Sequence, residues 1–158
     1  AWAGVVSLVA AALQAVRLGG WNPWATRSQP ILWVLQLAYL WIPLGLALVA
    51  LTQFGVLPRS AGIHALAIGA TGGLIIGMIT RTALGHTGRM LTAGRIETAA
   101  YALVLLAALV RVLTVAFIPA AQLGGVHAAA TLWSIAFLLY LWRYAPYLWY
   151  ARVDGKEG

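Results

Sequence analysis

The sequence predicts an all-α, polytopic transmembrane helix bundle with four full spans and a clipped fifth at the N-terminus. Of its 158 residues, 63% are hydrophobic and 8% are charged. A soluble domain typically has about 25% charged residues, so this chain has too few to cover a water-facing surface. Apolar stretches that approach the roughly 20 residues needed to cross a bilayer recur along the chain. They are Trp2–Leu18, Ile31–Gln53, Ile63–Thr80, Ile96–Ile118 and Val126–Tyr144.

The first two stretches are separated by a loop. The first lies at the chain terminus with no Met before it, so we expect a fragment with a clipped first helix that belongs to a larger bundle. Gly-Gly, Asn-Pro and Gln-Pro pairs within residues 19–30 predict the loop. In the second stretch, Pro43 frees a backbone carbonyl and predicts a kink.

The third and fourth stretches carry signals of their own. Glycines recur every fourth residue in the third, a spacing that favours close helix packing over a flat cofactor surface; they are Gly69, Gly73 and Gly77. The turn-rich run from Arg81 to Arg95 predicts a loop. Glu97 then opens the fourth stretch, where a carboxylate is favoured by the helix dipole.

Positive charge falls on alternate loops and predicts the orientation. If the helices alternate, eight basic residues share one side: Arg17, Arg27, Arg81, Arg89, Arg95, Arg143, Arg152 and Lys156. Arg59 alone belongs to a loop on the other. Excess Lys and Arg in short loops mark the cytoplasmic side, so we expect a cytoplasmic C-terminus. The net charge of +7 is then a topology signal, and a nucleic-acid partner is disfavoured.

Length and cysteine content bound the remaining possibilities. A chain of 158 residues has room for a single transmembrane domain without a separate soluble one. The absence of cysteine excludes disulfides, thiolate metal ligands and a thiol nucleophile.

Three ionisable residues within the spans are the first candidates for function, because such groups usually face a bundle interior or a cavity. His64 and His127 each open a span from the outer side, and Arg111 lies about 22 Å along a helix that starts inside. All three are therefore expected at similar depth. Two imidazoles can ligate haem iron or copper, and a guanidinium can pair with a haem propionate. Alternatively, the histidines are interfacial and Arg111 extends to lipid headgroups.

Two further patterns accompany this group. His127, Thr131 and Ser134 are spaced as one helical stripe, which predicts an inward-facing polar surface on the last span. On the cytoplasmic side, Arg81, His86 and Arg89 are candidates to bind an anion such as a phosphate or a propionate, although positive-inside charge alone also explains the arginines.

The run HALAIGATGGLIIGMITRTALGHTGR, residues 64–89, resembles the central signature of the NnrS family. The runs PILWVLQLAYLWIPLGLAL from Pro30 and RYAPYLWYARVDGKEG from Arg143 resemble its flanking segments. The resemblance covers residues 30–158. The family comprises polytopic inner-membrane proteins of bacteria that contain haem and copper and are linked to the response to nitric oxide. Its members usually have more spans, so this chain resembles their C-terminal portion.

The resemblance implies haem and copper as cofactors, nitric oxide as a ligand, and the remaining spans of a longer protein as partners within the lipid bilayer. It implies family histidines at His64, His86 and His127. Gln36 stands where the family often has His, and an amide ligates these metals poorly, which puts any metal site at that position in doubt.

Three functions follow from the sequence. The first is a haem- and copper-binding protein that protects against nitrosative stress without classical turnover. The second is a haem-copper nitric oxide reductase, which is disfavoured because its dinuclear site needs several converging histidines. The third is a transporter or permease for a small anion or a metal, in which Arg111 and the glycines line the path.

Overall fold

A computed structural model describes residues 2–155, which form helices and loops without a β-strand. Lys156, one of the expected basic-side charges, lies outside the described residues. The longer elements are α1 (Trp2–Gly20), α2 (Pro30–Gln53), α3 (Arg59–His64), a π-helical segment (Ala65–Gly72), α4 (Gly73–His86), α5 (Arg95–Phe117) and α6 (Gln122–Trp149). Short 3₁₀ turns cover Pro23–Thr26 and Pro119–Ala121. We call α3, the π segment and α4 together the third span.

The predicted fold class is confirmed. Within residues 2–155, five helices are long and apolar enough to cross a membrane. The first of these helices has 19 residues. The predicted loop start at Arg81 is wrong, since α4 continues to His86. Its last turns remain helical because Ala83 and Leu84 are buried against neighbouring spans.

The spans pack in an order that leaves α1 at one side. It packs mainly on α2, which in turn contacts all three parts of the third span. The N-terminal end of α5 lies beside the C-terminal end of α6, where Arg143 forms an ion pair with Glu97 at 3.2 Å. Arg152, just after α6, donates to the carbonyl oxygen of His86 at the end of α4. We call this side of the bundle the basic end and the other the opposite end.

The glycines of the third span accommodate side chains of neighbouring helices. Trp41 of α2 lies directly over Gly69, and Trp133 of α6 lies over Gly72. A Cβ atom at either glycine would collide with the indole ring. These two positions therefore favour helix packing, as the sequence predicts, and bring α2 and α6 close to the third span.

Candidate functional site

A cavity of about 300 Å³ lies in the half of the bundle nearer the opposite end, between the π segment, α5 and α6. It is lined by Ile68, Arg111, Val126, Ala129, Ala130 and Trp133. One charged side chain therefore shares the cavity wall with apolar neighbours. A volume of this size is at the lower limit of ordinary small-molecule sites.

The π-helical segment shapes one side of this cavity. Single π-helical turns are uncommon and occur frequently at functional sites, and here eight residues adopt this form directly after His64. Trp133, seated on Gly72, forms the part of the lining nearest the basic end. Nearer the basic end, α4 and α6 pack together.

Arg111 is the most unusual residue of the cavity. Its Nη1 atom is buried and has no hydrogen-bond partner among the described residues. A buried charged group without a partner is costly in any protein and more so within a membrane. The same guanidinium pairs readily with an anionic oxygen. The arrangement thus offers a buried cationic donor to an anionic group that enters the cavity.

His64 lies within electrostatic range of this guanidinium. It is half-buried at the end of α3, and the charge of Arg111 acts on it electrostatically. α3 packs against α5, the helix that carries Arg111. His64 makes no side-chain hydrogen bond within residues 2–155, so its ring nitrogens are available to ligate a metal. The structure therefore places two of the three predicted residues within electrostatic range of each other.

His127 does not belong to this group. Its side chain is exposed, as are those of Thr131 and Ser134, so the predicted inward stripe is wrong. The inner surface of α6 is formed by small residues that permit close approach: Gly125, Ala129 and Ala136 are buried. Residue 127 lies about a quarter of a turn from the cavity-lining position at residue 126. The stripe therefore faces away from the described bundle.

The metal-binding potential of the described residues is correspondingly small. No three side chains of His, Cys, Asp or Glu converge anywhere in residues 2–155. His64 can contribute one imidazole beside Arg111, and further ligands for a copper ion would have to come from outside this group of residues.

Gln36 lies at the basic end, far along the bundle from His64. Its Oε1 atom accepts a hydrogen bond from the Thr26 hydroxyl at 2.6 Å. It lines a mostly apolar cavity of about 540 Å³ together with Trp24, Arg27 and other residues of α2 and the preceding loop. The amide therefore ties the loop to α2.

The predicted anion site at residues 81–89 is assembled differently from the expectation. Arg81 and His86 do share a cleft of about 470 Å³, but Arg89 instead lies 3.8 Å above the ring of Tyr147. The second arginine of the cleft is Arg152. Sequence reasoning missed it because it lies 66 residues beyond His86, to whose carbonyl oxygen it donates.

A second polar group lies at the basic end. Glu97 is 5% exposed and accepts hydrogen bonds from the backbone N–H of Gly94 at 2.9 Å, from Nε of Arg143 at 3.2 Å and from the hydroxyl of Tyr144 at 3.1 Å. The sequence predicts a helix-dipole role for this carboxylate. The structure adds a hydrogen-bonded connection between α5 and α6.

The sequence matches the family described as NnrS protein over residues 1–152. No curated protein and no solved structure matches the chain. Because the match spans nearly the whole chain, this multi-pass membrane protein belongs to the NnrS family.

Proposed function

We propose that this chain is part of a haem- and copper-binding protein of the bacterial inner membrane that protects against nitric oxide and nitrosative stress. Membership of the NnrS family supports the proposal. The observation that carries it is the unpaired guanidinium of Arg111, which lies in the wall of an otherwise apolar cavity and within electrostatic range of His64.

His64 and Arg111 would provide two of the contacts that a haem site needs. A bound haem would supply an iron centre able to bind nitric oxide. His64 would hold the metal through an imidazole nitrogen, and Arg111 would hold a propionate through paired N–H donors. Ile68 and Trp133 would exclude water from the neighbouring surface, which strengthens the pairing of opposite charges.

The second metal is proposed to depend on residues outside this group. Copper prefers several nitrogen or sulfur ligands, and His64 is one imidazole. The exposed stripe of His127, Thr131 and Ser134 supports this view, because polar side chains in a span are usually covered by protein rather than lipid. We propose that further spans of a longer protein cover it and that His127 contributes to cofactor binding there.

The orientation is also a proposal. Arginines concentrate at the basic end, so we place that end in the cytoplasm. The cavity then lies nearer the outer face. A ligand that arrives from outside the cell, such as nitric oxide, would reach it without crossing the whole membrane.

A permease for a small anion is the second candidate, since an unpaired arginine in a cavity is also what an anion path requires. One experiment separates the candidates. The protein is purified in detergent, its reduced-minus-oxidised absorption spectrum and copper content are recorded, and nitric oxide is then added with and without an electron donor.

We expect a haem band that shifts on addition of nitric oxide, without sustained consumption of the gas. Sustained consumption would favour a reductase. A protein free of haem and copper would contradict the proposal and favour the permease. The same preparation exposed to nitrogen gas is the control for spectral drift.

A further inference from the structure

The cleft at the basic end is open to its surroundings and has two chemically distinct parts. It is lined by Met78, Arg81, Thr82, Gly85, His86, Leu91 and Arg152. The four lining residues of α4 within residues 78–85 are spaced three or four apart and therefore share one helix face. At Gly85 a Cβ atom would meet nothing within 4 Å, so the cleft runs freely along that face.

The rim of the cleft is cationic. The Arg81 side chain has no hydrogen-bond or ion-pair partner among the described residues. Arg152 is held in place by Asp154, with distances of 2.9 Å from Nε to Oδ1 and 2.7 Å from Nη2 to Oδ2, and this bonding raises its pKa above the ordinary value. Its Nη1 donates to the His86 carbonyl oxygen at 3.1 Å. Asp154 offsets the charge of Arg152, so Arg81 supplies the positive charge of the rim, and the remaining N–H groups of Arg152 are additional donors beside it.

The floor of the cleft is apolar. Met78 is 50% exposed and lies about 4.5 Å deeper along α4 than Arg81, towards the middle of the span. Leu91, from the loop after α4, is 48% exposed at the same cleft. Exposed apolar side chains just below a cationic rim match an amphiphile whose anionic group stays at the membrane surface while its chains enter the bilayer.

We propose that this cleft binds the headgroup of an acidic phospholipid. The phosphate accepts hydrogen bonds from Arg81 and Arg152, and the first acyl segments lie along Met78. Basic pockets at the ends of spans are a recognised mode of acidic-lipid binding. The apolar floor favours a lipid over a free phosphate ion, because a free ion would gain nothing from Met78 and Leu91.

The test uses the purified, delipidated chain in detergent. Phosphatidylglycerol, phosphatidylcholine or inorganic phosphate is added, and both the thermal unfolding temperature and the lipid retained in native mass spectra are measured. We expect phosphatidylglycerol to be retained and to raise the unfolding temperature more than either other probe. Arg81→Gln should weaken its binding about fivefold, since a surface arginine contributes about 1 kcal/mol to acidic-lipid binding.

The matched control is Arg95→Gln, an exposed arginine at the same end that does not line the cleft, and it should bind like the wild type. If Arg152→Gln unfolds the C-terminal tail and so cannot test the cleft, His86→Gln changes another residue of the cleft in its place. An equal effect of inorganic phosphate would overturn the lipid in favour of a free anion. An equal loss in Arg95→Gln, or equal retention of phosphatidylcholine, would overturn a specific site altogether.

Discussion

Replacing Glu97 by Ala tests how α5 and α6 are held together at the basic end. The carboxylate is buried and receives three hydrogen bonds. Its removal leaves the Tyr144 hydroxyl, on a residue that is 1% exposed, without an acceptor, which costs about 1–3 kcal/mol. It also removes the acceptor of the hydrogen bond that the Gly94 backbone N–H donates at the start of α5, worth about 1 kcal/mol. We therefore expect the free energy of unfolding to fall by about 2–4 kcal/mol.

Single changes of the two partners should cost less. Tyr144→Phe removes one hydroxyl while the carboxylate keeps two donors, so we expect a loss of about 1–2 kcal/mol. The Arg143 side chain is 43% exposed, and an ion pair this exposed contributes about 0–1 kcal/mol. Arg143→Gln should therefore be the mildest of the three.

The assay is unfolding by a denaturing detergent in mixed micelles, followed by tryptophan fluorescence. The exposed Arg95, two residues away on α5, provides the control Arg95→Gln, which should unfold like the wild type. The reasoning would be refuted if Arg143→Gln were as destabilising as Glu97→Ala. The exposed ion pair, rather than the buried hydrogen bonds, would then hold the two helices together.

Three further predictions concern the cavity, the glycine contact and the orientation. Without bound cofactor, Arg111→Leu should raise the free energy of unfolding by about 1–3 kcal/mol because it removes an unpartnered buried group. If the same micelle titration instead gave a lower free energy of unfolding, the guanidinium would have a hydrogen-bond or ion-pair partner. Gly72→Ala should lower stability by about 1–3 kcal/mol through overpacking against Trp133; Trp133→Leu should restore part of the loss, and equal stability of Gly72→Ala and wild type would contradict the packing. Because the chain lacks cysteine, single cysteines introduced as Gln122→Cys and Thr92→Cys report topology, since both positions are exposed and lie at opposite ends of α5. An impermeant thiol reagent should label residue 122 in intact cells and residue 92 only after permeabilisation. The reverse labelling pattern would show that the orientation is inverted.

The fold was largely predictable because membrane insertion imposes a simple rule. Each span must be long and apolar, and that property is read directly from a run such as Ile96–Ile118, which differs from α5 by one residue at each end. Helix ends were less certain where packing decides them. α4 extends to His86 because Ala83 and Leu84 are buried, and no local signal separates such a turn from a loop.

The sequence predicts at what depth in the membrane the candidate site lies, but not which helix faces form it. Span ends predict His64 and Arg111 at similar depth, and the structure places them within electrostatic range of each other. The polar stripe that includes His127 was assigned to the wrong face, because buried small residues such as Ala129 determine which side of α6 packs inward. Arg152 and the π segment carry no local signal, since one depends on a distant contact and the other on tertiary packing.

The central claim is that His64, beside Arg111, holds the proposed haem. Its most direct test is the amount of haem bound per polypeptide in purified wild type, His64→Ala and His86→Ala, the last being an exposed histidine at the basic end. We predict that His64→Ala loses haem or shifts its absorption band, while His86→Ala matches the wild type. Full haem content with an unchanged spectrum in His64→Ala would contradict the claim.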